Sequence, residues 1–148
     1  MYSSSEAETI EAGRQLVRQL PQRAVVLLIG NLGAGKTTFT KGMVEALEVG
    51  SANEVSSPTF TLIHEYGDPP KLYHIDLYRL EAIHEVASLG LDELFDRNAI
   101  VVIEWGERFP ELIPQDRVEV RIIYGQDDNR TITITGLPSQ RTSPQSEP

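Results

Sequence analysis

Two kinds of hydrophobic pattern divide the first third of the chain into helices and a strand. Ser5 and Glu8 have the spacing of a capping box, and apolar positions follow at helical intervals until Pro21. The pattern, in which Ile10, Gly13, Val17 and Leu20 recur at helical spacing, predicts a first helix that ends near Pro21. An unbroken apolar run predicts a buried strand from Ala24 to Ile29, and helical spacing resumes from Thr38 to Leu47.

The rest of the chain alternates mostly between strand patterns and turns. A surface loop is predicted over 48–58, and a helix interrupted at Gly90 is predicted over 81–95. The predicted strands are 60–66, 71–75, 99–103, 118–124 and 131–135. The segment from Leu137, LPSQRTSPQSEP, has almost nothing to bury, so we expect one domain over 1–136 and a disordered tail over 137–148.

A glycine-rich loop joins the first strand to the second helix. Its sequence, Gly30-Asn31-Leu32-Gly33-Ala34-Gly35-Lys36-Thr37, fits the phosphate-binding pattern G-x-x-x-x-G-K-[ST] at every fixed position. A loop in this place directs backbone N–H groups and the positive end of the helix at phosphate oxygens. Lys36 is expected to reach the β- and γ-phosphates, and the Thr37 hydroxyl is placed to bind Mg²⁺. The predicted nucleotide-binding residues of this loop are Asn31, Leu32, Gly33, Ala34, Gly35, Lys36, Thr37 and Thr38.

Such a loop also needs a carboxylate that binds the metal, and two strand ends offer one. Glu104 follows four consecutive apolar residues, whereas Asp76 ends the more mixed run LYHID. We therefore predict Glu104 as the metal ligand and Asp76 as the residue that orients water or the outer shell of the metal. The alternative for either acid is an ordinary carboxylate that caps a turn.

Composition excludes several classes of function. The formal net charge of −9, with only three lysines, disfavours unaided binding to nucleic acid. The chain has no cysteine, which removes disulfides and thiolate metal sites and agrees with a reducing compartment. The longest apolar run is too short to cross a bilayer, and the polar N-terminus lacks the features of a signal peptide. We expect a cytoplasmic protein that does not enter a membrane.

Three types of protein remain compatible with the phosphate-binding loop: an ATPase, a small-molecule kinase and a nucleotide-gated binding module. No N-K-x-D tetrapeptide is present to read guanine, so we expect either an adenine nucleotide or weak selectivity for the base. A small-molecule kinase is the alternative enzyme, with Arg79, Arg97 or Arg108 over the phosphates, although little chain remains for a substrate subdomain. A nucleotide-gated binding module is the alternative of another class. The three histidines have no short ligand spacing, so we expect solvated or hydrogen-bonded imidazoles rather than a zinc site.

Four segments in succession carry a family resemblance: GNLGAGKTTFTKGM, SSPTFTLIHEY, YHIDLYRL and VVIEWGERF. They resemble the signatures of the TsaE family of P-loop ATPases, and the likeness runs from about Thr9 to Thr135. The resemblance implies a role in making N6-threonylcarbamoyladenosine in tRNA, with TsaD and TsaB as partners and tRNA contacted only through their complex. It also implies that Lys36 and Thr37 bind phosphate and Mg²⁺, that Glu104 is a second metal ligand and that Asp76 serves ATP hydrolysis.

Other positions receive a role only through this resemblance. Ser57-Pro58-Thr59 resembles the switch-like loop of the family, and Thr9 and Arg130 match positions associated with nucleotide contacts. The chain departs from the family at Asn31, where aspartate is common, and at 126–129, where a glycine-rich turn is frequent. Trp105 is either a core aromatic residue or a neighbour of the nucleotide or partner surface.

Taken together, these patterns predict a three-layer α/β domain of the P-loop NTPase type. The strands that end at the loop and at Glu104 should lie parallel at the centre of the sheet, and the C-terminal hairpin should extend the sheet antiparallel. No lid domain is expected. The predicted activity is Mg²⁺-dependent ATP hydrolysis, weak for the isolated chain and stimulated by partners.

Overall fold

The computed structural model describes residues 2–31, 33–51, 54–56, 62–127 and 129–138. In chain order its strands and helices are β1 (Tyr2–Ser3), α1 (Glu6–Arg18), β2 (Ala24–Ile29), α2 (Lys36–Ala46), β3 (Ile63–Gly67), β4 (Pro70–Asp76), α3 (Ile83–Ala87), α4 (Leu91–Phe95), β5 (Ile100–Glu104), β6 (Val118–Tyr124) and β7 (Arg130–Thr135). Two short 3₁₀ helices, Gly106–Arg108 and Pro110–Leu112, follow β5. No helix among these described residues is long and apolar enough to span a membrane.

The strands form one mixed sheet in the order β1-β7-β6-β2-β5-β4-β3. β6, β2, β5 and β4 are parallel neighbours, and the three remaining pairings are antiparallel. The predicted pairing of the two central strands is confirmed, with Leu28 opposite Glu104. The C-terminal hairpin is antiparallel only within itself and to β1, because β6 joins the P-loop strand in parallel.

Helices cover the two faces of the sheet unequally. α1 and α2 pack on one face, where the core includes Val26, Leu28, Val102, Val120 and Ile132. α3, α4 and the 3₁₀ segments cover β2, β5 and β4 on the other face. β2 and β5 are buried on both faces, which explains their continuous apolar runs. The three-layer α/β prediction is confirmed.

The contact between α1 and α2 depends on two glycines. A Cβ atom at Gly13 would overlap the carbonyl oxygen of Phe39, and one at Gly42 would overlap that of Ile10. The fully buried residues of α1 are Thr9, Ala12, Gly13 and Leu16. Val17 and Leu20 are partly buried and pack against the same core, and Ile10 is also partly buried. Helical periodicity therefore located the helix, and the close contact at the glycines adds the small and polar residues Ala12 and Thr9 to its buried side.

Substituting Gly42 by alanine should lower the free energy of unfolding by about 1–3 kcal/mol, because the new methyl group meets backbone that cannot move alone. Helix propensity alone predicts the opposite sign, a gain of about 1 kcal/mol. Urea denaturation measures the difference. Gly125→Ala is the control, since its Cβ has room 3.4 Å from the Asn129 carbonyl oxygen. A more stable Gly42→Ala protein would contradict the proposed backbone contact.

Several element ends differ from the sequence predictions. β1 was not predicted, because two residues show no periodicity. The helix predicted over 81–95 is two short helices separated by Gly90, whose φ of 73° ends the first, as expected. Leu137 is buried in the core, so the packed domain extends beyond residue 136. Residues 60–61 and 139–148 lie outside the described residues, and the predicted tail is untested there.

Candidate functional site

The phosphate-binding loop leaves the carboxyl end of β2 and opens α2. Helix α2 begins at Lys36, two residues earlier than predicted, and Gly35 precedes it with a φ of 107°. Only glycine adopts this backbone angle without strain. Ala34 is buried, whereas Asn31 and Gly33 are exposed, and Leu32 lies outside the described residues.

The amine of Lys36 is folded back onto the loop. Its Nζ donates a hydrogen bond of 2.8 Å to the carbonyl oxygen of Gly30 and lies 4.0 Å from the centre of the Trp105 ring. The Glu104 Oε1 atom is 3.9 Å from the same nitrogen. Burial lowers the pKa of Lys36, and the nearby carboxylates of Glu104, Glu107 and Asp76 partly oppose this shift. The lysine is thus a buried cation that a phosphate group would stabilise further.

The two predicted acids meet at one edge of the sheet. Asp76 and Glu104 are direct register partners at the carboxyl ends of β4 and β5, and both are buried. Glu104 Oε2 lies 2.6 Å from His74 Nε2, whereas Asp76 Oδ1 accepts a hydrogen bond of 2.9 Å from the backbone N–H of Tyr78. The acids therefore have different partners, which agrees with two different roles.

Oxygen donors at this edge fit Mg²⁺. The available groups are the carboxylates of Glu104 and Asp76 and the hydroxyl of Thr37, which is half-buried in the first turn of α2. Within the described ranges, no cluster of three or more histidines and acids could enclose a metal by itself. Mg²⁺ in nucleotide sites needs only one or two protein carboxylates, because substrate phosphates and waters complete its octahedron.

Trp105 packs against the hydrophobic core and also borders the phosphate-binding loop. It has a positive φ of 66° at the end of β5, is half-buried and contacts both the Lys36 amine and the ring of Tyr78, whose centre is 5.2 Å away. Both interpretations of Trp105 left open by the sequence therefore correspond to contacts in the structure.

Two of the three candidate kinase arginines make hydrogen bonds away from the phosphate-binding loop. Arg108 donates to the carbonyl oxygens of Leu77, Tyr78 and Leu80, so it holds the turn that follows Asp76. Arg97 precedes β5 and donates to the hydroxyl of Tyr73 at 2.7 Å, at the end of the sheet opposite the loop. Arg79 is exposed on the turn after β4.

Thr9 and Arg130 come together at the loop although 121 positions separate them in the sequence numbering. A Cβ at Gly35 would lie 3.1 Å from Arg130 Nε and 3.8 Å from Thr9 Cγ2. The Thr9 hydroxyl itself is buried and shares a 2.7 Å hydrogen bond with Ser3 Oγ. β1 thereby fixes Thr9, and the two-residue strand gave no sequence signal of this contact.

Glu107 is a neighbour of the site that the sequence interpretation did not include. It lines a cleft of about 310 Å³ with Gly30, Trp105 and Tyr124, at the side of the phosphate-binding loop. Its Oε1 atom is buried without a hydrogen-bond partner in the part of the chain that the structure describes. The predicted switch-like segment, residues 57–59, lies outside that part.

Comparison with known proteins gives consistent matches over most of the chain. The family model described as Threonylcarbamoyl adenosine biosynthesis protein TsaE matches residues 3–132. The tRNA threonylcarbamoyladenosine biosynthesis protein TsaE of Bacillus subtilis (strain 168) is 47% identical over 114 residues, which are 76% of this chain and 70% of the relative. The protein of the same name from Treponema pallidum (strain Nichols) is 39% identical over 132 residues, 89% of this chain and 96% of the relative.

A solved structure gives the same result for the fold. The crystal structure of Bacillus subtilis YdiB aligns with a TM-score of 0.74 at 34% identity and covers 94% of this chain and 85% of that chain. The family match spans the loop, both acids, Thr9 and Arg130, and so confirms the resemblance inferred from the four sequence segments. The chain therefore belongs to the TsaE family of threonylcarbamoyl adenosine biosynthesis proteins.

Proposed function

We propose that the chain is an Mg²⁺-dependent ATPase that acts with the TsaB and TsaD proteins in making N6-threonylcarbamoyladenosine in tRNA. The observation that carries the proposal is the convergence of a lysine and two buried acids at one glycine loop. Lys36, Asp76 and Glu104 lie on three different elements, yet all meet at the carboxyl edge of β2, β4 and β5. Phosphoryl transfer requires this combination of loop, cation and metal-binding carboxylate.

Each residue has a role set by its surroundings. The backbone of Asn31 to Thr38 cradles the phosphates, and Lys36 neutralises charge on the β- and γ-phosphates. Thr37 and Glu104 hold Mg²⁺, which, when bound, stabilises the negative charge that develops during transfer. Asp76, whose Oδ1 accepts a hydrogen bond from the backbone N–H of Tyr78, orients the attacking water. Arg130 lies beside Gly35 and contacts the nucleotide, whereas the fully buried Thr9, the other predicted nucleotide residue, acts through the loop that it packs against.

The charge of the chain supports the proposed partners. A protein with a net charge of −9 gains little from contact with tRNA, but it is attracted to a basic, tRNA-binding protein. We propose that tRNA is reached only through TsaB and TsaD. The place of action is the cytoplasm, since tRNA is the modified molecule in the names of the relatives.

Two alternative functions make different predictions. A small-molecule kinase would need an arginine over the phosphates, and the bonds of Arg108 and Arg97 direct both side chains elsewhere. A nucleotide-gated binding module would bind ATP without appreciable hydrolysis. Turnover measured with and without the partners separates this module from an ATPase.

Substitution of the two acids tests the proposed roles. Glu104→Gln should raise the Mg²⁺ concentration needed for half-maximal hydrolysis more than it lowers ATP affinity, because the nucleotide keeps its backbone contacts. Asp76→Asn should lower turnover by about 10²–10⁴-fold with ATP binding largely kept. Steady-state phosphate release and equilibrium ATP binding measure the two effects.

Glu119→Gln serves as the control, since this glutamate pairs with Arg117 at 2.9 Å and lies on β6 away from the loop. A metal effect at Asp76 with none at Glu104 would reverse the assignment. Wild-type Mg²⁺ requirement, turnover and ATP binding in both variants would reject the assignment of these two acids to a nucleotide site.

A further inference from the structure

His74 is a buried imidazole that the proposed chemistry does not yet use. It lies on β4 opposite Val102, whereas Asp76 lies opposite Glu104, so His74 and Glu104 are diagonal neighbours on one face of the sheet. The His74 side chain is fully buried, and its Nε2 atom lies 2.6 Å from Glu104 Oε2. The pair is thus held within the packed layer between the sheet and the helices α1 and α2.

The direction of this hydrogen bond follows from the chemistry of its partners. A carboxylate that binds a metal is ionised and can only accept, so the proton of the bond must be on His74 Nε2. His74 Nδ1 is buried without a hydrogen-bond partner among the residues that the structure describes. The neutral ring with its single proton on Nε2 satisfies both conditions, because it leaves a bare lone pair rather than an unpaired N–H at Nδ1.

The bond matters because Glu104 has a competing partner. Its second oxygen, Oε1, lies only 3.9 Å from the amine of Lys36. A glutamate side chain that is free to rotate in this buried place would be drawn onto the lysine cation. That ion pair would occupy the metal ligand and the phosphate-binding amine at the same time. Fixing Oε2 on His74 limits this approach.

We propose that His74 is a positioning residue for the magnesium site. Its Nε2–H group donates a hydrogen bond to Glu104 Oε2, which keeps Oε1 of this glutamate available to the metal. The inference rests on the proposed nucleotide site and assigns to that site an outer hydrogen-bonding residue. Metal-binding carboxylates are generally oriented by such partners, and loss of one costs about 10–100-fold in metal affinity or activity.

The experiment uses the single tryptophan, Trp105, whose contact with Lys36 makes its fluorescence sensitive to occupation of the site. ATP is titrated in EDTA, and MgCl₂ is then titrated at saturating ATP. His74→Leu removes the donor, whereas the amide nitrogen of His74→Gln reaches to the position of Nε2. His74→Asn is polar but stops near Nδ1. Leu72→Val is the packing control, because Leu72 is a fully buried residue of the same strand.

We expect His74→Leu and His74→Asn to raise the half-saturating Mg²⁺ concentration about 10–100-fold and to leave ATP affinity in EDTA unchanged. His74→Gln should recover most of the loss, and Leu72→Val should show none. Thermal unfolding verifies that each variant is folded. If His74→Leu does not fold, the comparison of His74→Gln with His74→Asn tests whether the hydrogen bond to Glu104 is needed. This comparison holds polarity constant and changes only the reach of the donor.

Two results would overturn the inference. One is a half-saturating Mg²⁺ concentration of folded His74→Asn or His74→Leu equal to that of a wild-type chain that responds to Mg²⁺. The other is a His74→Gln protein as impaired as His74→Asn, which would mean that the hydrogen bond is not the cause. Absence of any Mg²⁺-dependent response in the wild-type chain is a different outcome, because it would reject the proposed nucleotide function together with the inference.

Discussion

Replacement of Lys36 by methionine is expected to lower ATP turnover by about 10²–10³-fold, because the preorganised cation at the phosphates is lost. Methionine keeps an unbranched stem beside Trp105, so the packing of the loop is retained. The fold should also persist. The substitution removes the hydrogen bond to the Gly30 carbonyl and the cation beside Glu104, but it also removes the burial penalty that lowers the pKa of Lys36, so we expect a melting temperature near that of the wild type.

Lys41→Met is the matched control for this substitution. Lys41 lies on the same helix, partly exposed, with its Nζ 3.7 Å from Glu6 Oε1 at the surface. Phosphate release, ATP binding and thermal unfolding should all stay near wild-type values for this variant. A folded Lys36→Met protein with unchanged ATP affinity and turnover would contradict the assignment of the phosphate-binding loop.

Addition of the TsaB–TsaD pair is expected to raise ATP turnover by about 10³-fold or more if a partner supplies a cation to the γ-phosphate. Arg108 does not serve this purpose in the isolated chain, because it is bonded to three carbonyl oxygens. A partner that contacts the Ser57-Pro58-Thr59 segment, which resembles the switch-like loop of the family, would add orientation of the attacking water as a second source of acceleration.

Steady-state rates with and without the pair test this expectation, and Lys36→Met mixed with the pair shows how much activity the partners contribute alone. Added tRNA should lower the stimulation if it competes for the basic surface of the pair. Fast turnover by the isolated chain with no response to the pair would reject partner-gated hydrolysis. Phosphate transfer to a small metabolite would favour the kinase alternative.

Local sequence patterns predicted the elements whose structure is set locally. The apolar runs that form β2 and β5 and the spacing of the glycine loop need only neighbouring residues, and the structure places them as predicted. The close packing of α1 against α2 was not predicted, because it depends on Gly42, which lies on another helix. The spacing of apolar residues within one helix does not reveal a contact between glycines on two different helices.

The site was predictable as a set of residues but not as a set of contacts. Glu104 and Asp76 could be chosen because each ends a strand, but their pairing requires the order of β4 and β5. The bond from His74 to Glu104 depends on the same register. Arg130 was connected to the nucleotide by family resemblance alone, since its approach to Gly35 depends on where β7 joins the sheet.

The bond between Lys36 and the Gly30 carbonyl makes the loop selective among anions. An anion must outcompete an internal acceptor that is already in place and needs no loss of translational freedom. A single inorganic phosphate offers few contacts in return, and its binding is correspondingly weakened. The polyphosphate of a nucleotide meets several backbone N–H groups of the loop at once, so it can displace the carbonyl with a net gain. We therefore expect inorganic phosphate to compete poorly with ATP for the loop.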